Sequence, residues 1–148
     1  MLFALFLACT DGDDSNGGDA CTEMGCIDGL TVSFEPALMG KGTYTFDVTV
    51  DGTAYSCDAA IPLEGSSTVC GADNVVSIFL SGTEFDPSEQ SLPGLHVEGT
   101  PKSVQIQVHR DKALVADADL SPTYQEVQPN GPDCPPTCHS AAVDVSTK

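Results

Sequence analysis

The residues best placed to do chemistry in this 148-residue chain are its seven cysteines. A thiol can be acylated, can pair in a disulfide or, as a thiolate, can bind a metal ion. Cys9 stands alone, directly after the apolar run MLFALFLA. The other six fall into three pairs along the chain, which are Cys21 with Cys26, Cys57 with Cys70, and Cys134 with Cys138. Which chemistry they perform depends on the compartment, and the opening residues indicate that compartment.

Residues 1–8 are typical of the apolar part of a secretory signal. They are too few to cross a bilayer, which takes about 20 apolar residues. No positive charge precedes them, so we expect the true start of the signal to lie upstream. The run ends in FLAC, and the small Ala8 before Cys9 resembles the lipobox of bacterial lipoproteins. That resemblance implies that Cys9 is lipidated and becomes the mature N-terminus.

The segment after Cys9 is acidic and rich in glycine, aspartate, serine and asparagine, with too little apolar surface to fold. The sequence therefore predicts a signal remnant over 1–8, a lipidated cysteine and flexible linker over 9–28, and one domain over 29–148. Thr10 is not the aspartate that retains lipoproteins in the inner membrane, so the resemblance implies the outer membrane. The alternatives are an ordinary cleaved signal or a buried first strand.

An even number of cysteines after Cys9 predicts three disulfides in an exported chain. Cys57 and Cys70 flank a short excursion, and a bridge there would close a loop of about 14 residues, worth about 3 kcal/mol in the chain-entropy model. The clusters Cys21/Cys26 and Cys134/Cys138 could each pair internally or pair with one another. A zinc site that adds His139 is the competing interpretation. An oxidising compartment disfavours it, because zinc needs free thiolates.

The charge of the chain excludes one class of partner. It carries 22 acidic and 5 basic residues, for a net charge of −17. Such a field repels phosphate backbones and anionic lipid, so we expect no nucleic-acid partner. The partners that remain are the membrane, reached through the lipid anchor, and a protein or glycan ligand that the sequence does not identify.

The body of the chain reads as β-strands. Apolar and polar residues alternate in LTVSF (30–34), TYTFDVTV (43–50) and VQIQVHR (104–110), as expected of half-buried strands. Asp51-Gly52 is the dipeptide of a two-residue hairpin. Further strand candidates lie at 75–80, 95–97, 113–120, 123–127 and 141–146. The sequence predicts an all-β, antiparallel two-sheet sandwich of seven to nine strands, with immunoglobulin or fibronectin-III-like architecture and disulfide staples.

Two stretches carry a wider resemblance. GTYTFDVTVDGTAYSC and PTYQEVQPNGPDCPPTCHSA are similar to the Cys-rich lipoproteins of unknown role in myxobacteria and related Gram-negative bacteria. The resemblance implies an exported envelope protein and transfers no catalytic or binding residues. We read the loop PNGPDCPPTC as a structural connection, and Tyr124 before it as a core or corner tyrosine.

Catalytic signals are missing from the sequence. His96, His109 and His139 are far apart, and there is no G-x-S-x-G, H-E-x-x-H or phosphate loop. We therefore expect no enzyme activity, no cofactor and no metal, and a secreted hydrolase is the weakest alternative. A weak calcium site in an adhesion-type module ranks above it, built from Asp86 with Glu89 or from Asp117 with Asp119, two residues on one strand face.

Overall fold

The computed structural model describes residues 21–64 and 68–148, and this part of the chain is built of β-strands without a helix. Cys9 and the predicted signal remnant lie outside those residues. The strands are β1 (Gly29–Met39), β2 (Gly42–Val50), β3 (Thr53–Ile61), β4 (Thr68–Cys70), β5 (Val76–Ser81), β6 (Ser91–Glu98), β7 (Val104–Arg110), β8 (Ala113–Leu120), β9 (Gln125–Val127) and β10 (Cys138–Ser146). No helix in the described residues is long and apolar enough to span a membrane.

The strands form two sheets, which confirms the predicted disulfide-stapled sandwich. One sheet has the order β4-β5-β6-β1-β10-β9, and the other has the order β3-β2-β7-β8. The described residues form ten strands, above the expected range of seven to nine, because the three-residue β4 lies in a stretch too short for periodicity to reveal. The named strands of the described residues pair antiparallel, as predicted, except that β1 pairs with β10 in parallel, with Leu30 opposite Ala141.

The core lies between the two sheets and follows from the alternation of apolar residues. Phe46 and Val48 of β2 and Ile106 of β7 point inward from the smaller sheet, and all are buried. Leu30 and Phe34 of β1 face them from the larger sheet. The rings of Phe34 and Phe46 meet across the core with centroids 6.2 Å apart. Packing of this kind supplies most of the stability of a sandwich.

The hairpin predicted at Asp51-Gly52 is confirmed. Both residues have positive φ, 47° and 86°, as a type I′ turn requires. The Asp51 carboxylate also accepts hydrogen bonds from the backbone N–H groups of Lys102 and Ser103, both at 2.9 Å. One side chain thus joins the β2–β3 turn to the β6–β7 turn.

The sandwich has two ends that differ in composition. We call the first the cysteine end; it comprises residues 21–28 and 128–138, where β1 and β10 begin. The second, which we call the tip, comprises the turns at 40–41 and 111–112 together with Thr147 and Lys148. At about 3.3 Å per residue, the eleven residues of β1 separate the two ends by roughly 30 Å.

Candidate functional site

The cysteine end is held by two disulfides that cross between the N-terminal and C-terminal clusters. Cys21 bonds Cys134 with a Cα–Cα distance of 5.5 Å, and Cys26 bonds Cys138 at 6.0 Å. The third disulfide joins Cys57 to Cys70, the pair that the sequence favoured. All four clustered sulfurs are therefore bonded to one another, which leaves none of them as a thiolate for zinc. Residues 21–28, which the sequence assigned to the linker, are joined to the domain by these bonds.

Asn130 organises the cysteine end, and sequence reasoning missed it. Its Oδ1 accepts hydrogen bonds from Thr22 Oγ1 at 2.6 Å and from the Met24 N–H at 2.9 Å. Its Nδ2 donates to the carbonyl oxygens of Met24 at 2.9 Å and Pro135 at 2.6 Å. The full hydrogen-bonding capacity of the amide is thus used to join residues 22–24 to the loop before Cys138. The Asn-Gly dipeptide signalled a turn but not these partners.

Tyr124 lies where the chain passes from β8 to β9, beside the same end. Its ring is partly buried against the core, and its hydroxyl donates to the Pro101 carbonyl at 2.9 Å. The pKa of the Tyr124 hydroxyl is raised mainly by burial and secondly by the negative charge of Asp51. This residue joins the β8–β9 crossover to the β6–β7 turn, as expected of a corner tyrosine.

The three histidines lie on different surfaces. His109 is on the outer, polar side of β7, with Nδ1 4.0 Å from Asp47 Oδ2. His139 lies on β10 directly after the cysteine end, and its backbone N–H donates to Asp28 Oδ1 at 2.6 Å. His96 covers Gly29 on β1, and its Nε2 is buried without a hydrogen-bond partner in the described residues. The fold does not bring the histidines together into one site.

The outer face of the smaller sheet carries a shallow polar hollow of 340 Å³, which we call the polar platform. The strand register places its side chains in two rows across three strands. One row contains Asp47, Gln107 and Asp117, each directly opposite the next. The second row contains Thr49, Gln105 and Asp119. Asp117 and Asp119 therefore share a face, as the alternation predicted, and they share it with two carboxamides.

The hydrogen bonds of this face are unevenly distributed. Asp47 accepts from Ser56 Oγ at 2.7 Å, and Asp58, on the neighbouring β3, accepts from Thr45 Oγ1 at 2.6 Å. The side chains contributed by β7 and β8, which are Gln105, Gln107, Asp117 and Asp119, make no hydrogen bond within the described residues. These four of the six platform side chains are thus free to bind polar groups of another molecule.

The two pairs proposed for calcium lie on different surfaces, Asp117 with Asp119 on the polar platform and Asp86 with Glu89 in the β5–β6 loop. Asp86 and Glu89 face solvent in the β5–β6 loop, where the Glu89 N–H donates to the Asp86 carbonyl at 2.8 Å. Within residues 21–64 and 68–148, no three or more histidine, cysteine, aspartate or glutamate residues are grouped so as to hold a metal ion. Calcium sites require six or more oxygen ligands. Comparisons with protein-family models, with curated proteins and with solved structures find no match to this chain.

Proposed function

We propose that this chain is an exported, lipid-anchored, non-catalytic binding module of the Gram-negative outer membrane. The observation that supports it most is the pair of disulfides that join Cys21 to Cys134 and Cys26 to Cys138. Disulfides of this kind persist in oxidising compartments and are rare in the cytosol. They also set the point at which a tether from Cys9 would leave the domain, since that tether would reach the sandwich at its cysteine end.

The length of the linker suits a tethered domain. Twelve peptide steps from Cys9 to Cys21 span at most about 40 Å when fully extended. A single acyl chain gives only reversible membrane binding, whereas two or more hold a protein firmly. With its net charge of −17, the chain as a whole is repelled from anionic lipid surfaces. Such a domain would stand off the membrane, with its tip directed outward.

The polar platform is the surface through which we propose that the module binds its ligand, a neutral glycan. Its carboxylates and carboxamides offer both acceptors and donors in a plane, which suits vicinal hydroxyl groups. Three carboxylates disfavour an anionic ligand there. The alternating rows of Asp and Gln place donors beside acceptors, as a hydroxyl group needs because it both donates and accepts.

The anchor is tested by expressing the full chain and its Cys9→Ser variant in a Gram-negative host supplied with labelled palmitate. We expect label and outer-membrane fractionation for the natural chain, and neither for Cys9→Ser. A Cys9→Ser protein that still fractionates with the membrane would overturn the lipid anchor. The thiol content of the soluble variant provides a check on export, because the six remaining cysteines should all be oxidised.

The platform is tested with an array of neutral envelope and host glycans, with and without millimolar calcium. We expect binding that the double variant Gln107→Ala/Asp117→Ala weakens at least tenfold. Asp58→Ala removes a carboxylate from the same sheet outside the platform and should leave binding unchanged. Binding that survives the double variant would place the ligand elsewhere. Binding that requires calcium would instead support the adhesion-type alternative.

A further inference from the structure

We propose that the tip holds a binding site for short aliphatic carboxylates. The site is a hollow of 270 Å³ where the two sheets part, between the last residues of β1 and the start of β8. Its lining is contributed by both sheets and by the C-terminal residues, namely Pro36, Ala37, Leu38, Met39, Tyr44, Arg110, Val115, Thr147 and Lys148. This inference is independent of the lipid anchor and of the polar platform.

The charge at the tip is opposite in sign to that of the molecule. Of the five basic residues in the chain, three lie at the tip (Lys41, Lys112 and Lys148) and a fourth, Arg110, lies directly beside it at the end of β7, whereas Asp111 is the one acidic side chain of the tip. The fifth, Lys102, lies in the β6–β7 turn, toward the cysteine end. Arg110 and Lys148 line the hollow, and no aspartate or glutamate of the described residues does. In a chain with 22 acidic residues, this combination favours an anionic ligand at this one position.

Arg110 is fixed by the strand that carries it. The alternation that buries Val104, Ile106 and Val108 of β7 directs Arg110 to the same, inward face. The register sets it opposite Tyr44, whose hydroxyl donates to the Met39 carbonyl at 2.7 Å. Arg110 Nη1 donates to the same carbonyl at 3.2 Å. The guanidinium therefore bridges the two sheets at the mouth of the hollow.

Most of the guanidinium remains available to a ligand. It carries five N–H donors, and the bond to Met39 is the one that it makes within the described residues. Its planar fork matches a carboxylate, which can accept two parallel hydrogen bonds from it. Lys148 also lines the hollow. The guanidinium is thus the group that would hold the carboxylate end of a ligand.

The other residues that line the hollow explain why the proposed ligand has an aliphatic chain. Leu38 is buried, and Val115 is partly buried against the core, so the inner wall is apolar. Met39 is 49% exposed and gives the hollow a flexible apolar rim. Since a water molecule occupies about 30 Å³, the hollow accepts on the order of nine water-sized groups. A six-carbon carboxylate has about that many non-hydrogen atoms.

The test uses the full chain labelled with ¹⁵N and titrated with hexanoate, followed by NMR. We expect saturable amide shifts at Ala37–Met39, Val115 and Lys148, with a Kd of about 1 mM, in keeping with the modest affinity of so small a ligand. Acetate, which has the head alone, and hexanol, which has the tail alone, should bind at least tenfold more weakly. Acetate binding as tightly as hexanoate would overturn the proposal.

Arg110→Gln should weaken hexanoate binding at least tenfold. Lys102→Gln removes one positive charge from the other end of the sandwich and should leave the Kd unchanged. An equal loss in both variants would show a bulk charge effect and overturn the site, as would unchanged binding in Arg110→Gln. If Arg110→Gln does not fold, Arg110→Lys, which keeps the charge but not the fork, should bind at least threefold more weakly, and equal affinity would overturn the proposal.

Discussion

The cysteine end and the tip are built from the same strands and use their polar groups in opposite ways. At the cysteine end, four cysteines form two disulfides with one another, and the Asn130 amide makes all four of its hydrogen bonds within the chain. Beside the tip, the Arg110 guanidinium donates one hydrogen bond to the Met39 carbonyl, and the hollow next to it is open. The difference indicates that one end supplies stability while the other has groups left for a ligand.

The largest effect we predict comes from removing both crossing disulfides. The two are interleaved along the chain, and Cys21–Cys134 and Cys26–Cys138 close nearly the same loop. With one intact, the other closes a ring of about ten residues only, worth about 3 kcal/mol in the chain-entropy model. Replacing all four cysteines with alanine should lower the free energy of unfolding by about 7 kcal/mol, more than twice the loss from either pair alone. Urea denaturation measures both quantities.

The Cys57→Ala/Cys70→Ala variant provides the matched control for that series. Its disulfide closes a local loop with a sequence separation of 13 residues, which shortens the two large loops by only about a tenth. We expect a loss of about 3 kcal/mol that adds independently to the losses at the cysteine end. Strictly additive losses for the two crossing pairs would contradict the coupling expected from their shared loop.

A smaller effect is expected when the donors of Asn130 are replaced. Asn130→Asp sets a carboxylate oxygen against the carbonyls of Met24 and Pro135, which now receive hydrogen bonds from Nδ2. The free energy of unfolding should fall by about 2 kcal/mol. Asn74→Asp makes the same chemical change in an exposed turn with φ of 56° and should change stability by less than about 0.5 kcal/mol. Equal losses of stability in the two variants would contradict the structural role that we assign to Asn130.

The Tyr124 hydroxyl predicts a pH dependence confined to the alkaline range. Burial and then Asp51 raise its pKa above the ordinary value of 10.0. The neutral hydroxyl is therefore favoured in the folded state, and its contribution is complete below pH 10 and is lost as the pH rises through the folded pKa. We expect the stability of the natural chain to decline above pH 10 more steeply than that of Tyr124→Phe. Parallel curves would show that Tyr124 does not contribute.

The smallest effect is expected at the tip. Arg110→Gln removes one hydrogen bond from an exposed side chain, so the free energy of unfolding should change by less than about 0.5 kcal/mol. Thermal melts of Arg110→Gln and Lys102→Gln should coincide to within a few degrees. A large destabilisation in Arg110→Gln alone would mean that the tip, like the cysteine end, is a structural junction.

Local patterns predicted much of this fold. The alternation in TYTFDVTV and VQIQVHR and the Asp51-Gly52 turn are properties of neighbouring residues, and β2, β3 and β7 follow them. The same alternation contained the signal for the tip, because it assigns Arg110 to the inward face of β7. The hollow itself depends on how far the two sheets diverge, which local pattern does not encode.

Local sequence patterns did not predict the contacts between distant parts of the chain. The partners of Asn130 at Thr22 and Met24 lie 108 and 106 residues away. The parallel pairing of β1 with β10 joins strands from opposite ends of the sequence. The spacing of the cysteines did not predict which of the clustered cysteines pair, for the same reason. Disulfides between the two ends of the chain depend on how the whole sandwich brings those ends together. The polar platform lies between these cases, because alternation placed Asp117 with Asp119 but not with Gln107 or Asp47.

Export and lipid anchoring at Cys9 are the central properties proposed for this chain, and one measurement tests both. The full chain is produced in a Gram-negative host and extracted from its membranes, and its intact mass is measured with and without a thiol-alkylating reagent. We predict a chain that begins at an acylated Cys9 and gains no mass from the reagent, because the other six sulfurs are paired. An unacylated Cys9 together with six alkylated thiols would contradict the account.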